Sequence, residues 1–441
     1  MNRLRLWYRL RLLFGWPGPR WVFPTVGALM AAGSFLATRG ILGSDYVTWS
    51  AVAGAWHESL WITGSVAAGV AAALGAAYFP RASPVAAPIR PRVDAGLFLI
   101  HGSALAVWLC LGHALGLVPV HVAAARQATA GAMAGQDVVV GLAGLTALAL
   151  TGFCLGAAVR HWVAAPAVAV LAFAVMSLPN EPLFRPIGLL LPVRQWVSSP
   201  RFELNPATAV FAVVAAIGIC LLAASVASWA GSHGSVRRQG RPLLTWLAVV
   251  GALTLTAFVW RPELSVVDHP VPRVCQQVDD TQVCLHAANQ PAMARTVEVV
   301  ARLRAAGLSP ILHQVTDIAV SDRDIPRTGE AFIRLNPSPL DRRFLTATIP
   351  EQVAFQVTEA VTLSGCLQPG QTIDGYDLAT VLHNRVLQLA GFEELAGAFG
   401  PSEPPPAARE LTTMNAGQVA AFVQTHQELI RSCRLSPANL G

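Results

Sequence analysis

Along the first 260 positions, apolar residues fall in long uncharged runs, and the charged residues gather between the runs. A hydrocarbon core ~30 Å thick takes about 20 apolar residues to cross as a helix. Runs of that order predict about seven spans, over residues 21–42, 59–80, 95–118, 138–159, 162–179, 206–229 and 242–260. The first and fifth are the weakest, being short or carrying Pro24 and Pro166. Between the fifth and sixth, Pro186–Val193 is apolar but too short to cross, and the surrounding Pro179–Asn205 carries five prolines. Non-helical backbone at membrane depth needs shielding by protein, so this segment reads as a partly re-entrant hairpin.

Beyond Trp260 the pattern breaks into short mixed elements. Residues 264–441 read as a small α+β domain. Strands are expected at Gln282–His286, Pro310–Val315, Ala331–Leu335 and Phe344–Ile349. Helices are expected at Ala292–Ala306, ended by Gly307, and at Glu351–Leu363, Tyr376–Ala390 and Ala416–Cys433. Asn415 with Gln418 three positions on has the form of a capping box. The fold class is thus an all-α polytopic membrane bundle followed by a small extracytoplasmic α+β domain.

Composition agrees with this division. The 441-residue chain is 54% hydrophobic and 13% charged, against about 25% charged in soluble domains. Residues 1–260 hold 17 Arg and six acids, whereas residues 261–441 hold 14 Arg and 19 acids. The net +6 is therefore a property of the membrane part and no sign of nucleic-acid binding.

Arginine also orients the bundle. Twelve arginines fall in the N-terminal segment and in loops on its side, and five on the opposite side, which places the N-terminus in the cytoplasm. Seven crossings then leave the C-terminal domain outside the cell membrane. Residues 1–20 are a basic cytoplasmic or interfacial segment whose helical polar face is broken, because Arg3 and Arg11 oppose Arg5 and Arg9. The apolar run begins late, at Trp21, and no small-x-small site ends it, which argues against a cleaved signal peptide.

Cysteines give an independent test. Cys110, Cys154 and Cys220 lie in predicted spans and read as packing residues. Cys275, Cys284, Cys366 and Cys433 all follow the last span, an even number suited to an oxidising compartment. Of the three possible pairings, Cys275–Cys284 and Cys366–Cys433 are favoured, the first closing a hairpin turn at Asp279-Asp280-Thr281 and the second tying down the last helix. A metal site at Cys275, Cys284 and His286 is the rival, but it lacks the C-x2-C spacing of zinc sites.

Candidate chemistry is sparse. Every basic Lys/Arg position is Arg, so the chain has no P-loop lysine and no Schiff-base lysine. His57-Glu58 is not followed by the second histidine of a zinc-protease helix, and no G-x-S-x-G elbow occurs. Acid pairs at Asp279/Asp280, Asp322/Asp324 and Glu393/Glu394 read as surface or turn residues. No Asp, Glu or Arg sits mid-span; His101 and His113 are there, without an acidic partner for a proton relay. Ser65, Gly69, Ala73 and Ala77 recur every four positions and predict a helix-packing face. The expectation is a non-enzyme with no catalytic, cofactor or metal residues. An envelope enzyme would have only His57, Glu58, Asp45 and Glu203 at the outer surface to use.

Six spans, a cytoplasmic N-terminus, a basic leading segment and the Pro-interrupted hairpin at Pro179–Asn205 resemble ABC-2-type exporter permeases. In that family a coupling element lies between the second and third helices, here Pro80–Asp94, where Pro80, Pro84, Pro88 and Pro91 depart from a regular helix. The seventh span and the C-terminal domain resemble actinobacterial permease-like proteins with a Val-Cys-x-His segment, here Val283-Cys284-Leu285-His286, and a Cys-containing last helix, here Glu428–Arg434. The resemblance implies a permease subunit in the lipid bilayer, with ATP bound by a separate ABC ATPase subunit and a homodimer or second permease as companion. The alternative is a membrane-anchored sensor or assembly protein without transport.

Overall fold

The computed structural model describes residues 21–78, 95–133, 135–178, 188, 190, 199–231, 236–260, 265–267, 270–323, 325–335, 348–363, 366, 373–396 and 406–439. The basic N-terminal segment, all of Pro80–Asp94 and most of Pro179–Asn205 lie outside these residues.

Among the described residues, eight helices make the bundle: α1 Val22–Leu42, α2 Trp49–Glu58, α3 Leu60–Tyr78, α4 Ala95–Gln127, α5 Gly135–Val159, α6 Ala164–Ser177, α7 Pro206–Gly231 and α8 Val236–Trp260. Six stretches of these residues are long and apolar enough to cross a membrane: Val22–Leu42, Trp49–Tyr78, Phe98–Gln127, Gly135–Val159, Pro206–Ala230 and Pro242–Trp260. The chain is thus a multi-pass membrane protein. Two spans are longer than their apolar runs suggest. The second starts at Trp49, because His57 is buried rather than marking a boundary. The third runs past Pro119 to Gln127, since neighbouring helices and side chains can re-satisfy the backbone that a membrane proline frees. The fifth expected span contains a helix of 14 residues, ~21 Å long at 1.5 Å per residue, shorter than the hydrocarbon core.

Small residues set the packing. A methyl group at Gly152 or Gly156 of α5 would overlap the carbonyl oxygens of Ala68 or Ala72 of α3, and one at Gly75 that of Phe153. Gly112 and Gly116 of α4 meet the carbonyls of Gly27 and Ala31 of α1 in the same way. Close backbone approach is how helices associate where lipid removes the hydrophobic drive. The expected stripe is only partly used: Ser65 and Gly69 are buried, Gly69 against Ala165 and Ala169, while Ala73 is half-buried and Ala77 exposed. Steps of four drift by about 40° each around a 3.6-residue helix, so the row leaves the face it starts on. The tighter seam is Ala68, Ala72 and Gly75.

The C-terminal domain is mixed. A short antiparallel pair, β1 Phe202–Leu204 with β2 Ser265–Val267, joins the entrance of α7 to the exit of α8. The main sheet has the order β3 Arg273–Val278, β4 Thr281–His286, β5 Gln314–Asp317, β6 Glu330–Ile333. β3 and β4 form an antiparallel hairpin; β4–β5 and β5–β6 are parallel. Helix α9, Met293–Leu303, lies between β4 and β5, and the turn after it uses Gly307 at φ 117°. Helices α10 Ile349–Thr362, α11 Ile373–Leu389, α12 Glu393–Ala396, α13 Arg409–Thr413, α14 Ala416–Thr425 and α15 Gln427–Arg431 complete the layer. Their apolar faces enclose one core with Val283, Leu285, Val315, Ala331 and Ile333 of the sheet.

Several expectations need adjustment. β5 begins at Gln314 rather than Pro310, and β3 is a strand the sequence reading passed over. Residue 349 starts helix α10 instead of ending a strand; residues 344–347 are outside the described set. The last helix is two, broken at His426, and the Asn415–Gln418 capping box is present.

Candidate functional site

Several polar side chains are buried inside the bundle. Thr48 caps α2 by accepting from the Ala51 amide, and α2 then carries Trp56 and His57 inward to its end, where Ser59 separates it from α3. His57 Nε2 lies 3.0 Å from Asp137 Oδ1 in the first turn of α5, and both side chains are essentially inaccessible to solvent. Next to them, His113 of α4 shares a 2.8 Å hydrogen bond between Nδ1 and the Ser34 hydroxyl of α1. The Trp56 indole donates to His121 Nε2 at 3.2 Å. Its ring meets those of His113 and His121 edge-on at 5.1 and 5.8 Å. Four helices thus contribute to one buried cluster. Near the opposite end, His101 bonds the Tyr78 hydroxyl at 3.0 Å, which makes it a packed polar residue.

A second polar set joins the bundle to the C-terminal domain. Tyr46, in the turn between α1 and α2, is buried within the domain's own core. Its hydroxyl donates to Asn289 Oδ1 at 2.9 Å, and Asn289 Nδ2 donates to Asp317 Oδ2 at 2.6 Å. Asp317 also accepts from the amides of His286 and Ala319. Burial pushes its carboxyl above the ordinary carboxylate range, and the three donors pull it back down. Asp45 pairs with Arg295 at 2.6 Å and faces the first amide of α10. The Val47 amide bonds Gln127 of α4 at 2.8 Å, and the Thr129 hydroxyl donates to the Ala287 carbonyl at 2.7 Å. Gln136 of α5 donates to the Leu204 carbonyl, and Arg201 pairs with Asp322.

The four C-terminal cysteines stand at disulfide distance in the favoured pairing. Cys275 and Cys284 face each other across β3 and β4, with S–S 2.09 Å. Cys366 and Cys433 join the chain after α10 to the chain after α15, 67 positions apart in sequence. His286, the third member of the rival metal set, accepts from the Ala288 amide through Nδ1. The acid pairs are where surface residues belong: Asp279, Asp280 and Asp322 are well exposed, as are Glu393 and Glu394. Glu203 is exposed on β1 and Glu58 half-buried beside His57.

The sequence reading missed the His57–Asp137 pair. Asp137 marks the start of the fourth expected span and His57 lies just outside the second, which begins after Glu58; packing brings the two together, while His113 and His101 bond Ser34 and Tyr78 instead. The available signal was polarity at the ends of two consecutive apolar runs, which is ambiguous until the helices are packed. The fold and its two polar sets define a multi-pass membrane protein with a mixed α/β domain seated on one end. Comparison with known protein families, with curated proteins and with solved structures finds no match for the chain.

Proposed function

We propose that the chain is the membrane-spanning permease subunit of an ABC transporter, an exporter, driven by a separate ATPase chain. The observation that carries this reading is the way the C-terminal domain is seated. It is held by the α1–α2 turn, by Thr129 after α4, and by the strand before α7. An anchor needs one helix and one linker. A domain gripped by several hairpins moves with them, as a transport cycle requires.

The reading counts seven crossings, with α6 as part of the fifth. In its support, α5 starts beside Leu204 at the domain end, and α6 carries Ser177 to a bond with Trp61 near the start of α3. An odd number of crossings from a cytoplasmic N-terminus puts the C-terminal domain in the extracytoplasmic space, where its cysteines meet oxidising conditions.

Affinity purification of the full chain from its native membrane tests the assignment. Recovery of a nucleotide-binding chain, with ATP hydrolysis that depends on both, is the expected result; isolation without any ATPase contradicts it. Four prolines in Pro80–Asp94, where a coupling helix belongs in the family, favour the second reading, a membrane-anchored sensor or assembly protein. That protein would bind its partner through the exterior domain and need no nucleotide.

A further inference from the structure

We propose that the His57–Asp137 pair is a proton-binding site of the bundle, and that its occupancy sets how firmly the C-terminal domain is seated. Ionisable groups inside a membrane bundle are costly, and where they persist they mark functional sites. Here two are fully enclosed with 3.0 Å between Nε2 and Oδ1. With one proton between them the pair is neutral overall, whichever atom holds it. Losing that proton leaves a net negative charge, and gaining another leaves a positive one. Either change alters the electrostatics of the contact between α2 and α5.

Helix α2 connects this contact to the domain. It has ten residues, about 15 Å of helix, set off from α1 by a turn and from α3 by the break at Ser59. One end carries His57. The other follows Tyr46 and Val47, which are bonded to Asn289 of the domain and to Gln127 of α4. A shift of the His57 end therefore reaches the Tyr46–Asn289–Asp317 chain through a single short element. The titratable groups around the pair are His113 and His121 from α4, on either side of Trp56, and Glu58, the next residue along the chain. Helix α3 offers none before Tyr78. At the domain end of α2 stand Asp45 and Arg295.

The inference does not rest on an ATPase partner, so the test uses the full chain alone in lipid nanodiscs. Hydrogen–deuterium exchange of residues 43–48 and 286–292 is followed from mildly acid to mildly alkaline pH, corrected for the intrinsic pH dependence of exchange. Wild type is expected to pass between two levels of protection. Asp137→Asn and His57→Gln are expected to lose that step while β4 and β5 stay protected; Asp137→Glu restores it, and His113→Gln and His121→Gln retain it. The proposal is overturned by a wild type without the step. It is equally overturned by a step that survives in both pair variants, or by one that disappears only with His113 or His121. A variant unprotected throughout the domain has failed to fold, and the remaining pair variant with Asp137→Glu then decides. Failure here leaves the permease reading standing, because no nucleotide-binding chain is present.

Discussion

Tyr46 belongs to a membrane-bundle turn by sequence and to the C-terminal core by position. Its ring fills that core, and its hydroxyl begins the chain through Asn289 to Asp317. Tyr46→Phe should keep the packing and cost about 1 kcal/mol, the net worth of one hydrogen bond. Tyr46→Ala should cost about 3–5 kcal/mol, the range for emptying an aromatic core site. Thermal unfolding of the full chain in detergent, read in the domain's exchange protection, separates the two. His383 of α11 offers a pH test. It is fully buried against Phe355, and burial lowers its imidazole to about 4. A histidine held neutral in the fold stabilises fully above its ordinary value near 6.5. That contribution is lost as pH falls through about 4. The total is about 3 kcal/mol for the shift, so the urea midpoint should drop over that acid window and stay flatter in His383→Leu. None of this was legible from the residues alone: a lone Tyr in a turn and a lone His in a helix have no partner until the chain has folded.

At the scale of elements, apolar run length and caps located the long helices but not the short α2, α12 and α13. What they could not supply was contact. The four-residue stripe in α3 identified Gly69 correctly as buried, but the closest approach uses the neighbouring row and the glycines of α5. Gly152→Leu or Gly156→Leu should drive α3 and α5 apart, costing about 1–3 kcal/mol or more by overpacking. Gly251→Leu, at an exposed position where an added Cβ meets nothing within 4 Å, should be neutral. Yield and monodispersity of the three purified variants read the difference. The second disulfide closes the longer loop of the two, and Cys366→Ser should cost about 2–4 kcal/mol. A lower domain unfolding midpoint, with the bundle's midpoint unchanged, is the result expected. β3 escaped the sequence reading because its burial is irregular; pairing with β4, not its own pattern, makes it a strand.

For the whole molecule, charge and hydropathy divide the chain after Trp260, where the last long apolar helix ends, since lipid tolerates so few charges. How the two parts meet was not legible, because it depends on single side chains in short turns. The transport reading takes its force from that junction, and the junction takes its meaning from the side of the membrane on which the domain lies. A membrane-impermeant thiol reagent applied to intact cells tests this directly. Cys110, Cys154 and Cys220 sit within the bundle, so Cys275, Cys284, Cys366 and Cys433 dominate the readout. No labelling before an impermeant reductant and clear labelling after it, at Cys275 first because it is exposed, is the expected outcome. Labelling that needs no reductant and occurs only once the cells are broken would place the domain in the cytoplasm and contradict the account.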